Sequence, residues 1–247
     1  MIKQTRLIMG MPVTLMTHDG TLTHQQIEEI FALFVSADNT YSPYKPDSEV
    51  SRLSRQPLLK RRYSAELGMI MLLAEQTKQE THGYFDVHHN DTFDPSGIVK
   101  GWVLQKAADR LGRWTDNFYI EAGGDIQVAG MTEHGGPWRI GVRNPFHRAE
   151  NVAVVALDTA AIATSGTAIR GNHIYNPVSE TVVNNIVSLS VIAPRIIDAD
   201  RMATAAFAMG EAGLRFLYRH GYDAYMIYAD GSAAMTPGWP AYQEVMV

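Results

Sequence analysis

The sequence predicts an α+β fold: a single compact domain, residues 1–247, with helices packed on a mixed, largely antiparallel β-sheet. Helical and strand-like patterns are interspersed along the chain, and several strands in the second half are joined by connections of hairpin length. Because parallel strands need long crossover connections, this arrangement favours antiparallel pairing over a doubly wound parallel sheet. The sequence contains no internal repeat, low-complexity tract or linker-like stretch that would divide it into separate domains.

One strand and three helices are predicted in the first half. Residues 7–17 are predicted to form the strand. Thr23 then caps a helix, with Gln26 in the capping-box position and apolar residues at helical spacing behind it. A second helix is expected over residues 65–78, and a third directly after the segment 94–101.

Strands dominate the predicted second half, separated by turns rich in Gly, Asn, Asp and Pro. Two helices are expected there, over residues 200–209 and 214–220. Residues 163–166, Ala-Thr-Ser-Gly, are interpreted as a hydroxyl-rich loop that follows a strand and that either only ends it or offers N–H and O–H donors to a diphosphate. The predicted strands are 118–121, 126–129, 138–142, 152–157, 173–175, 187–192 and 224–228.

The amino-acid composition excludes several kinds of function. The 247 residues are 46% hydrophobic, enough for a substantial core, and the net charge of −5 argues against an electrostatic nucleic-acid surface. The sequence has no cysteine, which excludes disulfides, thiolate metal sites and a cysteine nucleophile. No apolar stretch approaches the ~18 residues of a membrane span. As it stands the sequence predicts a cytoplasmic protein, or a periplasmic one if a leader preceded Met1.

The segment from Asp94 to Gly101 (Asp-Pro-Ser-Gly-Ile-Val-Lys-Gly) is a candidate phosphate site. A loop with two glycines and a lysine at a helix start is suited to an anion, because free N–H groups and the positive end of the helix dipole face it. The Walker spacing is absent. On this motif alone, an ordinary glycine-softened turn is the alternative.

Asp200 and Thr204 are candidate metal ligands. They stand four residues apart at the start of a predicted helix, so their side chains share one face. A carboxylate and a hydroxyl form an oxygen-only donor set, which suits Mg²⁺ rather than Zn²⁺. The alternative is that Asp198 or Asp200 serves only as an N-cap.

Three further segments carry candidate residues. Tyr84, Phe85 and Asp86 could form a stacking platform with a hydrogen-bond acceptor, or a strand edge in the core. The glycine pair that precedes Asp125 indicates either a hairpin turn or close approach of backbone to a ligand. His173 is either a packed or surface residue or a general base.

Taken in order, these segments resemble the ApbE family, the FAD:protein FMN transferases, over nearly the whole chain. Their order and spacing together are specific, although each segment alone is not. The segments that carry the resemblance are Met9-Gly10, residues 41–44 (Tyr-Ser-Pro-Tyr), 47–53 (Asp-Ser-Glu-Val-Ser-Arg-Leu), 83–86, 94–101, 122–126 (Ala-Gly-Gly-Asp-Ile), 163–166, 173–177 (His-Ile-Tyr-Asn-Pro) and 198–204 (Asp-Ala-Asp-Arg-Met-Ala-Thr).

The resemblance implies transfer of FMN from FAD to a threonine hydroxyl of a partner protein, with AMP leaving. It implies Mg²⁺ bound by Asp200, the Thr204 hydroxyl and the backbone carbonyl of Gly97, and catalytic roles for His173 and Asp200. The residues implied to contact FAD are Met9, Tyr44, Tyr84, Phe85, Asp86, Asp94, Lys100 and Ile174. The sequence departs from the family at Asn176, where an aspartate is usual.

Two other functions use the same residues. A Mg²⁺-dependent FAD pyrophosphatase would release FMN and AMP with water as the acceptor. A non-enzymatic flavin-binding protein would hold FAD without cutting it, and would have no need of a metal ligand at the diphosphate.

Overall fold

The computed structural model describes residues 2–18, 20, 22–56, 62–89, 92–147, 149–167 and 175–244, without the side chains of residues 89 and 92. Its centre is an eight-stranded sheet in the order β1-β2-β5-β6-β9-β12-β13-β14, in which every neighbouring pair is antiparallel. The predicted α+β class and largely antiparallel sheet are confirmed. Strands β7 and β8 pair with each other in a separate hairpin.

The strands of the central sheet are β1 Ile2–Ile8, β2 Met11–Thr17, β5 Phe118–Ala122, β6 Asp125–Ala129, β9 Ala160–Gly166, β12 Ile186–Ala193, β13 Asp223–Tyr228 and β14 Ala233–Met235. The paired strands outside it are β3 His88–His89 with β4 Thr92–Phe93, β7 Trp138–Arg143 with β8 Asn151–Leu157, and β10 Tyr175–Asn176 with β11 Thr181–Val182. The helices are α1 His24–Tyr41, α2 Glu49–Ser54, α3 Ala65–Glu80, α4 Ser96–Leu111, α5 Ile196–Ala208 and α6 Ala212–Arg219.

Two hydrophobic cores lie on opposite faces of the sheet. Because side chains alternate along a strand, β9 sends Ala161 and Ala163 into the larger core and Ile162 into the smaller one. The larger core also receives the apolar faces of α1, α4 and α5. The smaller core lies under the β7–β8 hairpin and contains Trp138 and Trp239.

Residues 7–8 and 11–17 of the predicted strand are strand, but its continuity is wrong, because the chain turns back at Met9 and Gly10. Both residues have positive φ, +55° and +70°, and Ile8 pairs directly with Met11. These are the features of a two-residue hairpin turn whose twist matches the flanking strands. The apolar pattern continues across the turn, so only the Met-Gly dipeptide marked it.

The predicted helices are present, and some of them begin earlier in the chain than predicted. The capping box of Thr23 and Gln26 is confirmed. Helix α5 begins at Ile196 rather than residue 200, and the short α2, capped by the Ser48 side chain, was not predicted. Residues 163–166 lie within β9, so their interpretation as a loop is wrong. Small hydroxyl-bearing residues gave no strand signal there, although the pairing of β9 with β6 and β12 fixes them in the sheet.

No helix in the part of the chain that the structure describes is both long enough and apolar enough to cross a membrane.

We expect Gly213→Ala to destabilise the fold by about 1–3 kcal/mol, because overpacking has that typical cost. A Cβ at Gly213 would lie 2.0 Å from the carbonyl oxygen of Ala206, where α6 packs against the backbone of α5. Gly68 is the matched control: it lies in α3 with no atom within 4 Å of an added Cβ. Gly68→Ala should stabilise by about 1 kcal/mol through helix propensity. Urea unfolding of both variants measures the difference, and equal effects would contradict the expectation.

Candidate functional site

A cavity of about 1150 Å³ lies at one end of the central sheet. The turns between β1 and β2 and between β5 and β6 border it, together with α4, α5 and the β7 strand of the hairpin. The candidate residues that line this cavity are Tyr44, Tyr84, Phe85, Asp86, Asp94, Gly97, Lys100, Asp200 and Thr204. Residues distant in the sequence therefore meet at one place.

Three candidates stand apart from this set. Met9 lies in the β1–β2 turn, and the lining at that turn comes instead from Gly10, Met11 and Pro12. His173 and Ile174 lie outside the described residues, so their roles remain predictions.

Helix α4 begins at Ser96, so Gly97, Lys100 and Gly101 are helical residues and not part of a loop. Pro95 occupies the N-cap position, and the Asp94 side chain accepts a hydrogen bond from the Ser96 N–H at 2.8 Å. The expectation of a glycine-rich loop over residues 94–101 is therefore wrong. A helix start is still present at this segment, and its first N–H groups lie beside the cavity.

The second glycine of this segment is required by packing. A Cβ at Gly101 would lie 2.7 Å from Asp200 Oδ2 and 3.2 Å from Ile197 Cδ1. The Gly101 N–H donates to Asp200 Oδ2 at 2.9 Å. Gly101 thus lets α5 approach α4 closely enough for a direct bond between a side chain and the helix backbone.

Asp200 lies in the second turn of α5 and is buried, with 3% of its surface exposed. The expectation that it stands at an exposed helix start is wrong, because the helix begins four residues earlier, after Arg195. Asp198 does not cap the helix with its side chain; it accepts a bond from Arg201 at 3.0 Å. Thr204 follows one turn after Asp200, and its hydroxyl lies 3.5 Å from Ser165 Oγ.

Lys100 lies between two buried carboxylates. Its Nζ is 2.5 Å from Asp125 Oδ2 and 3.2 Å from Asp200 Oδ1. Asp125 begins β6 directly after the turn at Gly123 and Gly124, which have φ of +63° and +99°. Asp125 belongs to the sequence motif 122–126, but no role was predicted for it. The hairpin turn was anticipated, and the carboxylate directly after it was the available signal.

Burial and charge shift the pKa values of this cluster. Burial raises the pKa of the Asp200 carboxyl; the Lys100 ammonium partly opposes this shift, and the neighbouring Asp125 carboxylate adds to it. Burial alone would lower the pKa of Lys100, but the charges of Asp125 and Asp200 outweigh it and raise that pKa. The ammonium therefore stays charged, while two carboxylates share its single positive charge.

Aromatic side chains line the cavity away from this cluster. Tyr44 is 88% exposed and Phe85 is buried beneath the helix start, 3.6 Å from a Cβ built on Gly97. Asp86 is held by Lys78, whose Nζ lies 2.8 Å from Asp86 Oδ2. Burial and the charges of Asp86 and Asp94 raise the pKa of Tyr175 to about 12. An exposed ring with hydrogen-bonding neighbours is suited to a planar, polar ligand.

The structure adds further residues to the lining. Thr164 and Ser165, from the segment proposed to offer donors to a diphosphate, reach the cavity from within β9 and not from a loop, and the Thr164 hydroxyl lies 2.7 Å from Ser190 Oγ. Arg139 and Arg143 lie on the exposed side of β7, whose other side packs into the smaller core. The alternation of buried and exposed residues in β7 was a detectable signal, but nothing in the sequence placed this strand beside the cavity.

The oxygen donors of Asp200 and Thr204 suit Mg²⁺, which needs few protein ligands, better than a metal that is held by three or more protein side chains. Among the described residues no group of three or more His, Cys, Asp or Glu side chains could hold a metal ion. Mg²⁺ commonly uses one or two carboxylates and completes its coordination with water and substrate phosphates. Asp200 and Thr204 provide a carboxylate and a hydroxyl on one helix face, and Thr204 Cγ2 lies 4.0 Å from a Cβ built on Gly97.

We expect Asp200→Asn to raise the free energy of unfolding, and to raise it more at about pH 8 than at about pH 5. The raised pKa of Asp200 means that the folded state holds this proton more tightly than the unfolded state. The unchanged protein therefore loses stability as the pH rises through that window, and the amide does not. Urea unfolding in EDTA at several pH values tests this, and a difference that is independent of pH would contradict it.

Comparison with known proteins gives the family. The sequence matches the ApbE family over residues 9–92 and 88–226. It is 34% identical over 129 residues to the FAD:protein FMN transferase of Vibrio cholerae, covering 48% of this chain and 39% of that protein. It is 29% identical over 170 residues to the Escherichia coli K12 protein of the same name, covering 62% of this chain and 47% of that protein. The chain thus spans less than half the length of these curated relatives.

Solved structures agree in fold. The Thermotoga maritima ApbE protein superposes with a TM-score of 0.88 at 19% identity, over 99% of each chain. The flavin transferase ApbE from Vibrio cholerae gives a TM-score of 0.85 at 22% identity, over 98% of each chain. The sequence match extends over most of the chain, and the fold agrees from end to end. The chain belongs to the ApbE family.

Proposed function

We propose that the chain, acting as one domain over residues 1–247, transfers FMN from FAD to a threonine hydroxyl of an acceptor protein, with AMP as the leaving group. The observation that carries this proposal is the pair of Lys100 and Asp200 on the cavity lining, with Lys100 Nζ 3.2 Å from Asp200 Oδ1 beside the start of α4. The relatives named FAD:protein FMN transferase add support through family membership.

The cavity has the size and lining that such a substrate needs. Its volume of about 1150 Å³ lies just above the usual range for small-molecule sites, as a dinucleotide requires. Tyr44 and Tyr84 supply aromatic surface for a flavin or adenine ring. The N–H groups at the start of α4 and the Lys100 ammonium supply donors and positive charge for a diphosphate.

Asp200, Thr204 and the Gly97 carbonyl would hold Mg²⁺. When bound, the metal would neutralise charge that develops on the diphosphate as the bond from the FMN phosphorus to the bridging oxygen breaks. The Gly101 N–H donates to Asp200 Oδ2, which ties this carboxylate to the helix that carries Gly97.

The transfer step conserves atoms and charge as follows. The threonine Oγ forms a bond to the phosphorus of the FMN half, and the bond from that phosphorus to the bridging oxygen breaks. AMP departs with the bridging oxygen, and the threonine proton is removed. His173 is the proposed base for this proton, which a neutral imidazole can accept near neutral pH.

Water is the competing acceptor, and it would make the protein an FAD pyrophosphatase. The cavity is partly open and lined by polar groups, so water can reach a bound diphosphate. The two activities differ only in the acceptor. Incubation with FAD, Mg²⁺ and an acceptor protein distinguishes them: transfer gives covalent flavin fluorescence on a denaturing gel, whereas hydrolysis gives free FMN and AMP by chromatography.

We expect Asp200→Ala to abolish flavin transfer, because it removes the only charged ligand proposed for the metal. The proper control is Asp198→Ala, which removes a carboxylate from the same helix that pairs with Arg201. The control variant should keep most of its activity. Equal rates from a folded Asp200→Ala variant and the unchanged protein would refute the metal assignment.

We expect His173→Ala to lower the transfer rate by ~10²–10⁴-fold, the usual contribution of general-base catalysis, while FAD still binds. Slow hydrolysis of FAD should persist, because water is small and present at high concentration and can still reach the diphosphate. His134→Ala, at an exposed histidine beside Glu133, is the matched control. Covalent flavin and free FMN are measured in the same reaction, and unchanged rates for both would assign His173 a structural role.

A further inference from the structure

Asp125 is a buried carboxylate to which the proposed chemistry gives no part. It is 1% exposed and lies at the start of β6. Its Oδ1 accepts the Thr164 N–H at 3.1 Å, and its Oδ2 lies 2.5 Å from Lys100 Nζ. Among the residues that the structure describes, Asp125 therefore has a hydrogen bond at Oδ1 and, at Oδ2, an ion pair with Lys100 but no hydrogen bond.

The charge balance of the cluster gives Asp125 a function. Two carboxylates and one ammonium leave one negative charge in excess, which attracts a cation to a buried site. The same ammonium lies 3.2 Å from Asp200 Oδ1 and competes with a metal for that oxygen. Asp125 is the nearer partner, so it holds Lys100 and satisfies its charge.

We propose that Asp125 is a positioning residue that retains Lys100 and balances its charge, so that Asp200 can bind a divalent cation. This inference rests on the proposed function, in which Asp200 is the charged metal ligand. Without the Asp125 carboxylate, Lys100 would pair with Asp200 alone, the cluster would be neutral, and a metal would have to displace the ammonium. Partners of metal ligands typically change metal affinity ~10–100-fold when they are replaced.

The test measures metal binding without flavin. Mn²⁺, which prefers the same oxygen ligands as Mg²⁺, is titrated with the full chain at about pH 8, and the loss of its solution electron paramagnetic resonance signal gives the affinity. Asp125→Asn keeps the shape of the side chain and an oxygen for the Thr164 N–H, and removes only the charge. We expect it to weaken Mn²⁺ binding ~10–100-fold. Asp198→Asn, the same change at a carboxylate of α5 that pairs with Arg201, should leave binding unaltered.

A double variant separates positioning from ligation. Asp125→Asn combined with Lys100→Met restores one excess negative charge and removes the competing ammonium, so it should recover most of the lost affinity. If Asp125 were itself a ligand, or only supported the fold, Asp125→Asn would weaken binding by the same factor in the Lys100→Met background as in the unchanged protein. That result, or unchanged binding by Asp125→Asn, overturns the inference.

Two further variants keep the test decisive. Circular dichroism checks folding, and if Asp125→Asn does not fold, Lys100→Met alone decides: we expect tighter Mn²⁺ binding, and equal or weaker binding overturns the inference. Asp200→Asn reports on the proposed function. Binding that requires Asp200 but ignores Asp125 rejects only the positioning role, whereas no binding, or binding that ignores Asp200, rejects the metal site and the inference together.

Discussion

The site depends on one buried interaction, the ammonium of Lys100 between the carboxylates of Asp125 and Asp200. It joins α4, β6 and α5, three elements that are far apart in the sequence. Taking three charges out of water is costly, and the interaction is sustained because hydrogen bonds from the Thr164 and Gly101 N–H groups satisfy carboxylate oxygens. The arrangement leaves excess negative charge, which favours the binding of a cation at the cavity lining. Groups that would lower the stability of an ordinary core are therefore retained where chemistry needs them.

Close helix packing makes this interaction possible. Gly101 removes the side chain that would keep α5 away from α4, and Ala199, Ala203 and Ala206 of α5 are almost completely buried among their neighbours. Small residues on both sides bring the backbone of one helix within hydrogen-bond reach of a carboxylate on the other. The site is thus set by the spacing of two helices, which a packed core holds with little freedom.

Much of this could be predicted from the sequence, and the exceptions have physical causes. The periodicity of apolar residues and the residue types at caps and turns predicted the α+β class, the capping box of α1 and the hairpin between β5 and β6. These predictions succeeded because the signals are local. The turn at Met9 and Gly10 and the strand at residues 160–166 were missed, since their conformation depends on pairing with distant strands. Order and spacing of motifs gave most of the cavity lining. The roles of Asp125 and of the β7 arginines were missed, because only the three-dimensional structure shows that Asp125 pairs with Lys100 and that Arg139 and Arg143 border the cavity.

The cavity borders both hydrophobic cores, so residues from two separately packed regions determine its shape. Met11 and Phe85 reach it from the larger core, and Ile140 and Val142 from the smaller core under the β7–β8 hairpin. In the described part of the chain, that hairpin forms its own two-stranded sheet, and its strand β7 lines the cavity together with Lys100 and Asp200. Substitutions beneath it can reshape one wall while the ion cluster keeps its geometry. Within this architecture, the shape of the opening and the chemistry at its base can diverge at different rates over evolution.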